Sequence, residues 1–366
     1  MTSITRIISG LAVMSLLTSC QQKPEVVFLG HDETEMFQKE LFAQVDGVKY
    51  QVNIPEDICM TIVAQEDFDG DGVTDALIEN VQACGGNAIG NAFFFVTYQG
   101  NGTFAVSDTF GSSVYEEPVI EKWEGNLSVV INDSHFDEYT EEFQQTRDRY
   151  VLCDGQALKV IEPNDVSAMP DISVEEWAAL SERADTAELT TEEKQRYQAC
   201  ELFDELYSGY CSWYCGGEVQ QITASSCRKA DGEVTYEADN AHDFNHESVW
   251  ATAGQGIGES LVYTFAGVCP RITTVRVFNG DVKSEEAWRK SSRAKLIKMY
   301  INDKAYAILS LEDSRSLQDF EVGIVGFHDP KAPDWTLKFE ILDVFPGNKY
   351  KQVVIAELFF DGIDVH

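Results

Sequence analysis

Basic residues are scarce in this sequence. Only 27 lysines and arginines face 62 aspartates and glutamates, a formal charge of −35. Binding a phosphate backbone depends on Lys and Arg displacing condensed counterions, and no basic stripe interrupts the acidity, so nucleic acid is excluded as a partner. Histidine is scarce as well, with six scattered copies, and neither a Gly-x-Ser-x-Gly elbow nor a Gly-rich phosphate loop is present. The acidic pairs Glu116-Glu117, Glu141-Glu142 and Glu285-Glu286 read as solvated charge, because adjacent side chains do not converge on one substrate atom. The expectation is a protein that is not an enzyme. Two carboxylates suffice for glycoside hydrolysis, so a calcium-stabilised glycan-processing enzyme is an alternative.

Long apolar runs are missing too, apart from residues 7–17. Arg6 precedes that run, which is too short to span a bilayer but suits a signal-peptide core. It ends in Leu17-Thr18-Ser19-Cys20, which resembles the lipobox of bacterial lipoproteins. The resemblance implies that Cys20 is acylated and becomes the first mature residue. Gln21 stands where retention in the inner membrane would favour Asp, which implies the outer membrane of a Gram-negative cell, with the lipid as the only membrane contact.

What is present is a globular composition, 44% hydrophobic and 11% aromatic over 366 residues, enough for two domains. The expected class is mainly β. Residues 1–19 form the signal peptide and 20–39 a lipidated polar tether. A β-rich domain covers 40–162, with strands suggested by Ala92-Phe93-Phe94-Phe95-Val96-Thr97-Tyr98 and Leu127-Ser128-Val129-Val130-Ile131. A short α-helical connector covers 163–218, where Ser173-Val174-Glu175-Glu176 and Thr190-Thr191-Glu192-Glu193 look like helix starts. From 219 to 366 spaced short strands suggest a β-sandwich.

Eight cysteines remain once Cys20 is set aside, and an even count in an exported chain reads as disulfides. Cys59 and Cys84 flank Asp71 at near-equal spacing, so a hairpin folded on that residue would bring them together. A zinc site on Cys200, Cys211, Cys215 and Cys227 is the alternative for the later group, although no CxxC pair supports it.

The flanked segment is Asp67-Phe68-Asp69-Gly70-Asp71-Gly72-Val73-Thr74-Asp75. Carboxylates of Asp67, Asp69, Asp71 and Asp75 converge when the glycines let the backbone curl, and hard oxygens at that density match Ca²⁺, with the Val73 carbonyl completing the set. An EF-hand would need Glu where Ile78 stands, so the segment resembles the DxDGDGxxD loops between strands of bacterial surface repeats. The alternative is a metal-free acidic turn.

Trp213-Tyr214-Cys215-Gly216-Gly217, Ala238-Asp239-Asn240-Ala241-His242-Asp243, Val277-Phe278-Asn279-Gly280 and Ile355-Ala356-Glu357-Leu358 resemble the NADase-type glycan-binding domain. This is a discoidin-like, galactose-binding-like β-sandwich (jelly roll). The resemblance implies a second Ca²⁺ cage from Asn240, Asp243, Asn245, Ser248, Ala356 and Glu357, with Trp250 beneath. Phe244 departs from the family, which usually has Gly there. A zinc pair of His242 and His246 is a further alternative, as is a metal-free turn. Sugar binding calls for an aromatic platform with polar forks. The candidates are Trp288, Arg289, Arg293 and Tyr350, although Trp288 suits a core position equally well. The leading expectation is a cell-surface carbohydrate-binding lipoprotein, and protein docking is the competing one.

Overall fold

The computed structural model describes residues 23–30, 39–54, 58–81, 91–113, 117–137, 142–169, 172, 174–184, 189–198 and 213–365. The signal segment, Cys20, Cys84, Cys200 and Cys211 lie outside them. The protein is mainly β, and the described residues form four sheets.

The amino-terminal unit is layered. A three-stranded meander, Val26–Leu29, Leu41–Val45 and Val48–Val52, packs Phe28, Leu41 and Ala43 onto Ile78, Phe94 and Val96 of the next sheet. The opposite face of that sheet carries Leu77, Phe93 and Phe95, which pack on Val129, Ile131 and Leu152 of a third layer. A strand covered on both faces has no polar side to show. That is why Phe93-Phe94-Phe95-Val96 is a continuous apolar run and not an alternation. Strands Cys59–Glu66 and Asp75–Val81 pair antiparallel with Glu66 opposite Asp75, so the acidic segment is the turn of a hairpin.

The third layer continues into the carboxy-terminal sandwich. Strand Gln156–Ile161 runs parallel to Lys304–Ser310, with Lys159, Val160 and Ile161 opposite Ala307, Ile308 and Leu309. One nine-stranded sheet therefore crosses residue 162, where the sequence pattern suggested a domain limit. The pairing covers a strand edge that would otherwise offer unpaired N–H and C=O groups to another chain. The next strand, Asp165–Ala168, joins the opposing five-stranded sheet beside Ser316–Val325. Val151, Leu158 and Val160 share a small core with Leu296 and Ile308. Three lysines of the sandwich, Lys295, Lys298 and Lys304, pair with Glu124, Asp154 and Asp108 of the first unit.

The connector contains helix Val174–Ala184 and a helical segment at 191–198. Thr190 Oγ1 accepts from Glu193 N at 3.2 Å, while Thr190 N donates to Glu193 Oε2 at 2.8 Å. This reciprocal cap is the one the Thr-Thr-Glu-Glu pattern predicts.

The sandwich closes strands Ser260–Phe265, Arg293–Ile301 and Trp335–Phe345 over Ile272–Asn279, Ser316–Val325 and Val354–Gly362. Between the sheets lie Tyr263, Phe265, Val277, Met299, Trp335 and Phe360, with the Phe265 and Trp335 rings stacked at 4.7 Å.

Cys59 is disulfide-bonded. Cys153, Cys227 and Cys269 are free thiols, so the even count of cysteines does not translate into complete pairing. Their surroundings account for two of them. Cys269 is buried and points at the Glu218 carbonyl at 3.6 Å, and Cys153 Sγ accepts from Lys298 Nζ at 3.5 Å.

Candidate functional site

In the acidic hairpin, Gly70 and Gly72 take φ of +77° and +80°, the left-handed geometry that turns successive backbone N–H groups inward. Gly72 N donates to Asp67 Oδ2 at 2.9 Å, Asp71 N to Asp69 Oδ1 at 3.0 Å and Val73 N to Asp71 Oδ1 at 2.7 Å. Ligand oxygens of Asp67, Asp69 and Asp71 fall within 4.8 Å of one another. Asp75 is buried at 2% exposure beneath them and accepts from Phe68 N at 3.0 Å. Burial, with Asp69 and Asp71 close by, pushes its carboxyl up to about 7. Asp67 Oδ1 is buried without a hydrogen-bond partner. Lys23 Nζ donates to the Asp71 carbonyl at the mouth of the loop.

The second cluster joins the loop 240–248 to the strand Val354–Gly362. Glu357 is fully buried among the apolar residues Val354, Ile355, Ala356, Leu358, Phe359 and Phe360 of its strand. Its Oε1 accepts from Asn245 N at 2.7 Å, and its Oε2 is buried with no partner. Asn245 N is shared with Asp243 Oδ1 at 2.9 Å, and Ser248 Oγ donates to Asp243 Oδ2 at 2.6 Å. Burial, then the neighbouring Asp243, raises the Glu357 carboxyl to about 9. Trp250 is buried nearby, anchored by Nε1 donating to the Ser226 carbonyl at 3.0 Å. Phe244 sits at φ +56°, the left-handed conformation that costs a residue with a Cβ and that glycine takes freely. Its ring rests edge-on against Tyr214 at 5.1 Å and Phe359 at 5.8 Å, contacts a glycine could not make. The chain thus keeps the turn while replacing the glycine. His242 Nδ1 lies 2.8 Å from the Leu358 carbonyl and follows the short 3₁₀ turn Ala238–Ala241, so His242 and His246 do not share a helical face.

A pocket of about 500 Å³ opens beside this loop. Asn240, Asn245, Ser248, Tyr236, Arg228 and Tyr350 are among the residues that line it. The Arg228 guanidinium lies 4.5 Å from the Tyr236 ring centre and 5.6 Å from that of Tyr350.

Of the four expected sugar contacts, only Tyr350 lines this pocket. Trp288 is a core residue, 8% exposed, with Nε1 donating to the Asn279 carbonyl at 2.9 Å. Arg293 is 5% exposed, lies 4.3 Å over the Trp288 ring and is clasped by Asp313 at 2.8 Å. Arg289 pairs with Glu285 on the exposed face of the short helix Glu285–Lys290. These three placements correct the expectation: the Trp288 face is already covered by Arg293, and both arginines are engaged. Arg228 and Tyr236 were missed. The visible signal was Arg228-Lys229 and Lys349-Tyr350-Lys351, two basic clusters in a very acidic chain.

Residues 213–361 match the family described as the NAD glycohydrolase translocation F5/8 type C domain. This is a discoidin-like β-sandwich, in agreement with the fold, and it supports a role as a carbohydrate-binding or interaction module. No curated protein matches the chain. Among solved structures, a GH29 fucosidase of Ruminococcus gnavus in complex with fucose is similar at 14% identity and TM-score 0.27, and a mutant of the same enzyme, also with fucose, at 15% and 0.27. Both matches cover 46% of this chain and 30% of theirs. The structure of a Paenibacillus xanthan lyase is similar at 7% identity and TM-score 0.24, covering 93% of this chain and 26% of that one. The chain therefore spans about a third or less of the solved relatives it matches.

Proposed function

We propose that the protein is a non-catalytic carbohydrate-binding lipoprotein of a Gram-negative outer membrane, stabilised by Ca²⁺ at two loops and anchored through acylated Cys20. The observation that carries the binding role is the pocket walled by Tyr236, Tyr350 and Arg228. Arg228 with the asparagine, serine and carboxylate groups around it suits a sugar's hydroxyl edges, and the Tyr236 and Tyr350 side chains that line the same pocket add apolar surface for its C–H groups.

Both loops fit a cation by the same test. Asp67 Oδ1 and Glu357 Oε2 are buried acceptors with no donor, and each belongs to a cluster of carboxylates that repel one another. A bound Ca²⁺ would supply the missing positive partner. Asp67, Asp69, Asp71 and Asp75 with the Val73 carbonyl would hold one ion. Asp243 and Glu357, with Asn240, Asn245, Ser248 and the Ala356 carbonyl, would hold the other. The Cys59–Cys84 bridge would then close the hairpin below the first ion.

The non-catalytic reading is supported by the pairing of Asp243 with Glu357. Both accept from the same backbone donor, Asn245 N, at 2.9 and 2.7 Å, whereas glycosidase carboxylates flank the scissile bond at roughly 5 Å or more.

A glycan array probed with the mature protein, in calcium and in chelator, tests the reading. Calcium-dependent capture of carbohydrate is expected, together with loss of labelled fatty-acid incorporation in Cys20→Ser. An array silent in calcium would return the sandwich to protein docking.

A further inference from the structure

We propose that the pocket takes an acidic sugar whose carboxylate seats on Arg228 between Tyr236 and Tyr350. This rests on the carbohydrate-binding reading above and goes further by naming the ligand's charge.

Cations are scarce in the chain, yet Arg228, Lys283 and Lys290 all line this one cavity. Two of them are already neutralised. Lys283 pairs with Asp281 at 3.0 Å and Lys290 with Glu286 at 2.5 Å. Arg228 has no carboxylate at ion-pair distance among the described residues. It is held instead by its surroundings: its backbone N–H donates to the Ala251 carbonyl at 2.8 Å, and two aromatic rings flank its guanidinium. A guanidinium stacked this way has lost its freedom before the ligand arrives, and its in-plane N–H fork remains available to take a carboxylate at two oxygens. The local field agrees. Lys349, with Lys290 and Arg228 behind it, pulls the Tyr350 phenol below the ordinary tyrosine range.

Against this corner stands the overall charge of −35. That field is screened beyond about 10 Å at ordinary salt, whereas a contact ion pair is not. The pocket's own carboxylates limit the ligand's charge. Asp231, Glu233 and Glu247 also line it and are exposed, so they accept from sugar hydroxyls and repel a second carboxylate. The preferred ligand therefore carries one acidic sugar next to neutral ones, not a run of adjacent uronates.

The test is titration calorimetry on the whole mature protein in calcium. The probes are sialyl-, glucuronyl- and galacturonyl-terminated oligosaccharides, each beside its carboxyl-reduced counterpart. An acidic probe is expected to bind at least about tenfold more tightly than its reduced form. Arg228→Gln should remove that difference while leaving the melting temperature in place, and Arg228→Lys should restore little of it, since a point charge lacks the fork. Independently of any variant, added salt should weaken the acidic probes and leave the neutral ones unchanged. Equal binding of acidic and reduced forms would overturn this inference while the carbohydrate reading stands. Absence of binding to every probe would overturn both.

Discussion

Asn245 N donates to Glu357 Oε1 at 2.7 Å, joining two residues separated by 112 positions in the chain. That contact ties the pocket-lining loop to the final strand, and its strength depends on the state of the carboxyl. Without metal the Glu357 carboxyl titrates near 9, above its ordinary value of 4.5. A raised carboxyl stabilises the fold while protonated, fully below the ordinary value, and that contribution is lost as pH rises through about 9. Calcium-stripped protein should therefore lose thermal stability between pH 7 and pH 10. Glu357→Gln, which fixes the neutral form, should show less of this loss and should no longer respond to calcium at this site. Calcium binding to the wild type at pH 7.5 should release roughly one proton more than calcium binding to Glu357→Gln, read by calorimetry in buffers of different ionisation enthalpy.

The acidic hairpin gives a second test with opposite effects in one residue. Asp75 is buried and held near 7, so in the absence of metal Asp75→Asn should stabilise the protein at pH 8, since it removes a buried charge while an amide oxygen can still accept from Phe68 N. In calcium the same variant should be less stable than wild type. Asp69→Asn should reduce the calcium-induced rise in melting temperature. At saturation near a hundred times the dissociation constant a bound ion contributes about 2.7 kcal/mol. Melting curves with calcium and with chelator read both effects.

Lys298 is buried in the sandwich, its side chain 3% exposed, while its partner Asp154 in the first unit is 83% exposed. Burial works against its charge, yet the hydrogen bond to Asp154 carries the Lys298 ammonium above the ordinary lysine range. Removing the acid strands the cation, but water reaches the Asp154 side. Asp154→Ala should therefore cost about 1–2 kcal/mol, less than a fully buried pair. Lys298→Met keeps the stem packed against the joint core and should be nearly neutral. Urea denaturation measures both.

Trp288→Ala should cost about 3–5 kcal/mol, the price of emptying a buried aromatic site. A Cβ at Gly280 would meet the Trp288 ring at 2.6 Å, at a φ of +95°. Gly280→Ala should accordingly be destabilising as well. If Trp288→Ala kept full stability, the residue would not be core.

The acidic hairpin and the helix cap at Thr190 were legible because each depends on residues close in sequence. The three-phenylalanine run announced a strand for the same reason, though not that both its faces are covered. The parallel pairing of Gln156–Ile161 with Lys304–Ser310 was not legible. Both strands carry ordinary apolar patterns, and nothing local specifies a partner about 150 residues away. The sugar contacts failed for a related reason. Trp288 on a short helix reads equally well as platform or core, and only the position of Arg293 over its ring decides. Arg228 was passed over because its meaning comes from Tyr236 and Tyr350, which reach it from different parts of the chain.

The measurement that bears most directly on calcium-dependent carbohydrate binding is titration of a glycan captured by the array into three samples: wild-type protein loaded with calcium, the same protein stripped, and Glu357→Gln in calcium. Because the cage orders the loop carrying Asn240, Asn245 and Ser248, the loaded wild type should bind most tightly and the other two should be weakened together. Equal affinity in all three samples would contradict the account.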